Sequence, residues 1–303
     1  MRDTTEAFSR PRATPALGLL DQFETELAAR LPASGPAPRL IEAMDYVLMA
    51  PSKRFRAGLV LLLAEAADVP RAAALDLAAA IEMLHGASLI FDDLPCMDDA
   101  PLRRGRASAH AQFGESVAVL AGISLLSLAY EVVATSADIP ADRRAAIVAL
   151  LTGSVGHAGL SAGQDLDLHG DPSGGVGAVT VAHRLKTGSL FLASVRAVAA
   201  LADLPPPQTE ALCRFADALG LAFQAYDDLI DLAAGAEAEA AHGKTTQRDG
   251  TRLALTQVLE RAQIAALYAA RVAEVETALT ETGLDVGPLR DYVGQMLARR
   301  LPA

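Results

Sequence analysis

The chain of 303 residues is 51% hydrophobic, contains no Trp and carries a formal net charge of −11. Such an acidic balance excludes nucleic acid as the expected partner, because a phosphate backbone is bound by basic surface. A core built from Ala, Leu, Val and Ile without Trp suits packed helices better than sheets, since Ala and Leu are strong helix formers.

Two isolated cysteines, Cys96 and Cys213, form no disulfide framework and point to a reducing cytoplasm. The N-terminal residues 1–15 include Arg2, Asp3 and Glu6 and no apolar stretch, so they read as disordered and not as a signal peptide. From residue 16 to 303 the apolar residues recur with helical spacing, and no sustained period-2 strand pattern is found. The predicted fold class is all-α: one domain, a bundle of about ten or more helices.

In chain order, the first break is the loop Pro32–Pro38. The basic stretch Ser52-Lys53-Arg54-Phe55-Arg56 follows, then an apolar helical run from Ala78 to Phe91 that carries Glu82 and His85. Four acids, Asp92, Asp93, Asp98 and Asp99, close that run, with Pro95 among them and Arg103, Arg104 and Arg106 directly after. Pro95 ends or bends the helix, so spacing alone does not place Asp98 relative to Asp92. Taken alone, these charges could form a surface salt-bridge patch. Cys96, without a second Cys or close His pair, reads as a packing residue and not as a Zn²⁺ ligand.

The apolar run Val117–Tyr130 is shorter than the roughly 20 residues that a bilayer needs, and reads as a buried core helix. No transmembrane segment is expected. Gly163-Gln164, a loop over Asp171–Gly177, and Lys186-Thr187-Gly188 come next, and Leu204–Pro207 ends a helix. Ala234–Gly243 is compatible with a helix or a mobile segment, and Gly243-Lys244-Thr245 follows.

The second acidic cluster lies in GLAFQAYDDLIDLA. Asp227 and Asp231 are one turn apart on one helical face, Asp228 lies about 100° round, and Gln224 sits a turn earlier. Like charges one turn apart are destabilising, and buried carboxylates without partners cost more. The apolar neighbours therefore call for a cation, and oxygen-only ligands suit Mg²⁺. Two acidic clusters on apolar helices favour a shared metal site over two solvated faces.

These segments, in this order, resemble the isoprenyl diphosphate synthases, the trans-prenyltransferases, and among them the bacterial geranylgeranyl diphosphate synthases. Asp92-Asp93-x-x-x-x-Asp98 with Leu102-Arg103-Arg104-Gly105 resembles the first aspartate-rich motif of that family, and Gln224-x-x-Asp227-Asp228-x-x-Asp231 resembles the second. Ser52–Arg56, Glu82–His85, Gly163-Gln164, Lys186–Gly188 and Gly243–Thr245 match further motifs from about residue 20 onward. The resemblance implies an isoprenoid-synthase bundle around a central apolar cavity, a cytoplasmic homodimer, and condensation of isopentenyl diphosphate with an allylic diphosphate (dimethylallyl, geranyl or farnesyl).

By the same resemblance, Asp92, Asp93, Asp98, Asp227, Asp228 and Asp231 would hold Mg²⁺, about three ions per site with substrate bound. Arg103, Lys186, Thr187, Gln224 and Lys244 would contact the allylic diphosphate, with Lys186 and the leading aspartates catalytic. Lys53, Arg56, His85 and Arg104 would bind isopentenyl diphosphate. Ser52 and Ala57 stand where the family carries Gly and Pro, which predicts a less pre-organised loop. Ala87 stands five positions before the first Asp, where farnesyl-type relatives carry an aromatic residue, and Ser88 follows. A small side chain there implies an open tunnel and a C20 product. The alternatives are a farnesyl diphosphate (C15) synthase, a terpene cyclase, and a non-catalytic regulatory subunit. The basic set and the second acidic motif speak against the cyclase, and the intact acids against the regulatory subunit.

Overall fold

The computed structural model describes residues 15–242 and 253–298. The N-terminal segment expected to be disordered lies, up to residue 14, outside the described residues, as does Lys244 with its neighbours. The chain divides into two compact units: residues 1–151 with 200–203, and residues 152–199 with 204–303.

The first unit holds α1 (Pro15–Ala29), α2 (Pro38–Leu48), α3 (Phe55–Ala66), α4 (Arg71–Asp92), a hairpin of β1 (Leu102–Arg103) and β2 (Arg106–Ala107), α5 (Ala109–Phe113), α6 (Glu115–Thr135) and most of α7 (Ala141–Val155). Pro38 opens α2 at a position where its missing N–H costs nothing. The Ala- and Leu-rich α4 is buried along most of its 22 residues and packs against α3 and α6. It ends at Asp92, capped by Asp93, as Pro95 requires. Residues 200–203 belong to this unit: Arg143 on α7 donates to the Ala200 carbonyl at 3.1 Å and to Asp203 Oδ1 at 2.9 Å.

Two sequence expectations are corrected here. The run Val117–Tyr130 is not a buried core helix. Within α6 the small residues Ala118, Ala121, Gly122 and Ala129 face inward with Leu125 and Val133, while Leu120 and Ile123 are 52% and 50% exposed. The helix also runs beyond the apolar core of its sequence, to 21 residues. By length and composition, four helical stretches among the described residues could cross a membrane: Arg71–Asp92, Glu115–Thr135, Ala141–His169 and Pro172–Ala202. The hairpin was also unforeseen, because two-residue strands are too short to show alternation.

The second unit holds α8 (Leu160–His169), a 3₁₀ turn (Pro172–Gly174), α9 (Gly175–His183), a π-helical turn (Arg184–Gly188), α10 (Ser189–Ala202, its last residues belonging to the first unit), α11 (Pro206–His242), a second 3₁₀ turn (Leu255–Gln257), α12 (Arg261–Glu281) and α13 (Gly287–Leu297). Apart from Asp171, the whole of the expected loop Asp171–Gly177 is thus helical, as the 3₁₀ turn and the start of α9. Asp171 accepts the Ser173 N–H at 2.8 Å and starts the turn. The stretch read as helical or mobile continues α11 to His242. Helix α11 packs along α12, over a core that includes Val179, Ala222, Leu229, Leu253, Ile264 and Tyr268.

Candidate functional site

In the first unit the basic residues gather at the start of α3, on α4 and on the hairpin. Lys53 and Arg56 flank Arg54, which caps α3 with a left-handed backbone (φ 49°). Arg54 is 4% exposed. Its guanidinium donates to Glu24 at 3.0 Å twice, to Glu82 Oε2 at 3.2 Å and to the Leu48 carbonyl at 2.6 Å. The loop predicted to be loosely organised is therefore tied down. The Arg54 N–H points to Ser52 Oγ at 3.4 Å, and the Ala57 N–H donates to Glu82 Oε1 at 3.2 Å.

His85 lies one turn after Glu82 on α4, its Nε2 3.4 Å from Arg56 Nη1. Burial, and then the positive charges of Arg56, Arg104, Arg103 and Arg54, hold its pKa well below 6.5, so it is neutral at pH 7. Ala87 is fully buried, and the partly exposed Ser88 donates to the His85 carbonyl at 2.8 Å.

At the end of α4 the backbone folds back: the Asp98 N–H donates to the Asp92 carbonyl at 2.9 Å, and the Ala100 N–H to the Asp93 carbonyl at 3.2 Å. These bonds bring Asp98 to the helix terminus despite Pro95. Asp92 and Asp98 are half-buried. Asp93 is buried and accepts a forked pair from Arg103, at 2.9 Å from Nε and 2.5 Å from Nη2. Arg103 pairs with Arg106 across a turn whose two central residues, Arg104 (φ 55°) and Gly105 (φ 74°), are left-handed. That conformation suits a tight two-residue hairpin. A cleft lined by Tyr46, Leu89, Asp93, Arg103, Arg104 and Arg106 opens beside it, with Arg106 stacked 4.0 Å over the Tyr46 ring. Cys96 is exposed, which corrects its reading as a packing residue.

In the second unit Lys186 and Thr187 lie in the π-helical turn, a wide geometry that often marks functional sites. Lys186 Nζ is 2.6 Å from Asp167 Oδ2 on α8, and Thr187 donates to Gln224 Oε1 at 2.9 Å. The turn is reached because Gly163 lacks a side chain: a Cβ there would sit 2.1 Å from the Lys186 backbone nitrogen. Next to Gly163, Gln164 is buried, and neither amide atom of its side chain has a hydrogen-bond partner among the described residues.

On α11 the three acids do not share one environment. Asp231 is exposed and Asp227 half-buried, whereas Asp228 is 5% exposed and accepts the Leu255 N–H at 3.1 Å. Burial, reinforced by the charges of Asp231 and Asp167, pushes Asp228 up to about 6. His183 Nε2 is 4.0 Å away. Burial and then Lys186 push His183 down to about 4, so it is neutral at pH 7 and forms no ion pair with Asp228.

Among the described residues no three potential metal ligands converge. Sequence reasoning missed roles for Arg54, Glu82, Asp167 and His183. A signal existed for two of them, since Glu82 and Asp167 each lie one turn from a motif residue, His85 and Gln164, on the same helix.

Known proteins supply the context. The polyprenyl synthetase family profile matches residues 37–278. A geranylgeranyl diphosphate synthase of Pantoea ananas is 40% identical over 216 residues, covering 70% of this chain and 72% of its own length. A farnesyl diphosphate synthase of Geobacillus stearothermophilus is 35% identical over 269 residues, 88% of this chain and 90% of its own. The crystal structure of a geranyltransferase from Legionella pneumophila superposes with a TM-score of 0.80 at 30% identity, covering 94% of this chain and 97% of that one. With its motifs in order on an all-helical frame, the chain belongs to the polyprenyl synthetase family and is a prenyltransferase.

Proposed function

We propose that this prenyltransferase condenses isopentenyl diphosphate with an allylic diphosphate and releases geranylgeranyl diphosphate, a C20 product, and that both units serve this one reaction as a single all-helical domain. The observation that carries the reading is the set of arginines around the neutral His85. Arg56 and Arg104 supply cationic donors there, Lys53 lies three residues before Arg56 in the same basic stretch, and the imidazole adds a hydrogen bond. A cyclase, which handles one diphosphate, has no use for this second basic set. Lys186, Thr187 and Gln224 of the second unit, with Arg103, and Lys244 by its motif, are assigned to the allylic diphosphate.

The donor set suits Mg²⁺. It consists of carboxylate oxygens, with Asp92, Asp98, Asp227 and Asp231 accessible at least in part, and Asp228, at about 6, is mostly ionised at pH 7. Asp92, Asp93, Asp98, Asp227, Asp228 and Asp231 would hold the ions, which when bound neutralise charge on the leaving diphosphate. The allylic C–O bond breaks, the diphosphate departs, and the double bond of isopentenyl diphosphate attacks the allylic cation. A proton then leaves the new chain, with the departed diphosphate as its acceptor. Lys186, held by Asp167, presents its ammonium to the charge that develops on the diphosphate. The basic set of the first unit fixes the second reactant, and positioning two reactants together supplies much of the gain.

The C20 product rests on the small side chains of Ala87 and Ser88. The C15 alternative draws on the likeness to the Geobacillus enzyme over 88% of the chain. We also propose a cytoplasmic homodimer whose apolar helices serve packing and association and not membrane crossing. The exposed Leu120 and Ile123 of α6 support an interface there.

The test is incubation with Mg²⁺, isopentenyl diphosphate and each of dimethylallyl, geranyl and farnesyl diphosphate, with product length read out. A C20 product that disappears with EDTA is expected. No condensation with any primer overturns the reading, and a C15 end product overturns the chain length alone.

A further inference from the structure

A single buried carboxylate, Glu82, ties together every element that carries the basic set at the start of α3. One of its oxygens accepts from Arg54 and the other accepts the Ala57 N–H. Ala57 is the third residue of α3, so its N–H belongs to the first turn, where donors have no partner within the helix. Arg54, the capping residue, offers no side-chain acceptor to that turn. Glu82 therefore caps α3 from the neighbouring helix α4, and its negative charge lies where the helix dipole favours an anion. It also sits one turn before His85 on α4, so it links the helix that presents His85 to the loop that presents Lys53 and Arg56.

Arg54 completes the device. A non-glycine residue in the left-handed region is strained, because its Cβ crowds the following carbonyl oxygen. Arg54 is held there (φ 49°) by four hydrogen bonds, to Glu24, Glu82 and the Leu48 carbonyl. This conformation aims its own guanidinium into the core, while Lys53 and Arg56 on either side stay partly exposed. The ion pair thus divides a run of three cations into one that holds the loop and two that stay partly exposed beside it.

We propose that Glu82 and Arg54 are positioning residues for isopentenyl diphosphate, fixing the spacing of Lys53 and Arg56 against His85 without touching the substrate themselves. The inference rests on assigning Lys53, Arg56, His85 and Arg104 to that diphosphate.

The test compares steady-state kinetics of the enzyme with Glu82→Gln and Arg54→Gln. The first keeps the side chain's size and an amide oxygen for Ala57 but removes the charge that holds Arg54. The second removes the guanidinium while leaving Glu82 to accept the Ala57 N–H. We expect KM for isopentenyl diphosphate to rise about tenfold in each variant, as befits a lost charge-assisted bond. KM for the allylic diphosphate should stay within about twofold, since Glu82 and Arg54 bond to the loop and helices that carry Lys53, Arg56 and His85. A merely structural role would lower the active fraction, and with it the apparent kcat, and leave the ratio of the two KM values unchanged; that outcome overturns the proposal. If Glu82→Gln does not fold, the same ratio measured in Arg54→Gln decides between the two roles. A wild-type enzyme that condenses normally while both variants keep the ratio sinks only this inference. A wild-type enzyme without condensation sinks the functional reading beneath it.

Discussion

At the scale of single residues, environment decides what each side chain can do. His85 is neutral because burial and four arginines disfavour its charged form. The unfolded chain takes up a proton there below about pH 6.5, and the folded chain does not. His85 therefore costs stability as the pH falls below 6.5. Substitution by Asn should flatten the loss between pH 7 and pH 5 by on the order of 1 kcal/mol, read from denaturant midpoints at the two pH values. Ala87 is a residue of the opposite kind, fully buried and uncharged. Ala87→Tyr should shift the main product from C20 to C15 and cost about 1–3 kcal/mol of stability through overpacking; an unchanged C20 product counts against the assignment. The residue types of the basic and acidic motifs were legible from the sequence, because their order along the chain is specific. Their partners were not. Nothing in the spacing of Arg54 and Glu82 announces an ion pair, and nothing in Asp227-Asp228 says that one acid points inward to Leu255 while its neighbour stays half-buried.

Elements were legible in proportion to their length. The long helices α4 and α11 follow from apolar periodicity, and the end of α4 follows from Pro95. The hairpin and the π-helical turn were not legible, because each depends on backbone angles at a few residues. Arg104 in particular adopts a left-handed conformation that its type does not suggest. The turn at Arg184–Gly188 relies on the close approach of α8 at Gly163. Gly163→Ala would drive a Cβ into the Lys186 backbone, where only a shift of one element relieves the overlap. A loss of about 2 kcal/mol or more is expected, read as a melting temperature several degrees lower. Asp167→Asn leaves the packing intact and removes the charge that holds Lys186. It should raise KM for the allylic diphosphate about tenfold while the melting temperature changes little.

At the scale of the whole molecule, a chain with net charge −11 can still serve anionic substrates, because its cations are concentrated locally and its field is not what attracts them. The all-helical class followed from the helical spacing of the apolar residues, which the composition favours. The role of α6 did not, since hydrophobicity alone does not distinguish a core helix from one that leaves Leu120 and Ile123 outside. Placing Glu at both positions should convert the proposed dimer to monomer, with light scattering as the measurement and a mass that stays dimeric as the contrary result. The path of the chain has one more consequence, and it concerns time. The first unit is interrupted after residue 151 and regains residues 200–203, where Arg143 finds the Ala200 carbonyl and Asp203. During synthesis, the last piece of that unit emerges about 50 residues after the rest, a wait of about 5 s at typical rates of elongation. Through that interval the nascent first half stands with its closing contact unmade, and its final consolidation is set by the ribosome as well as by its own sequence.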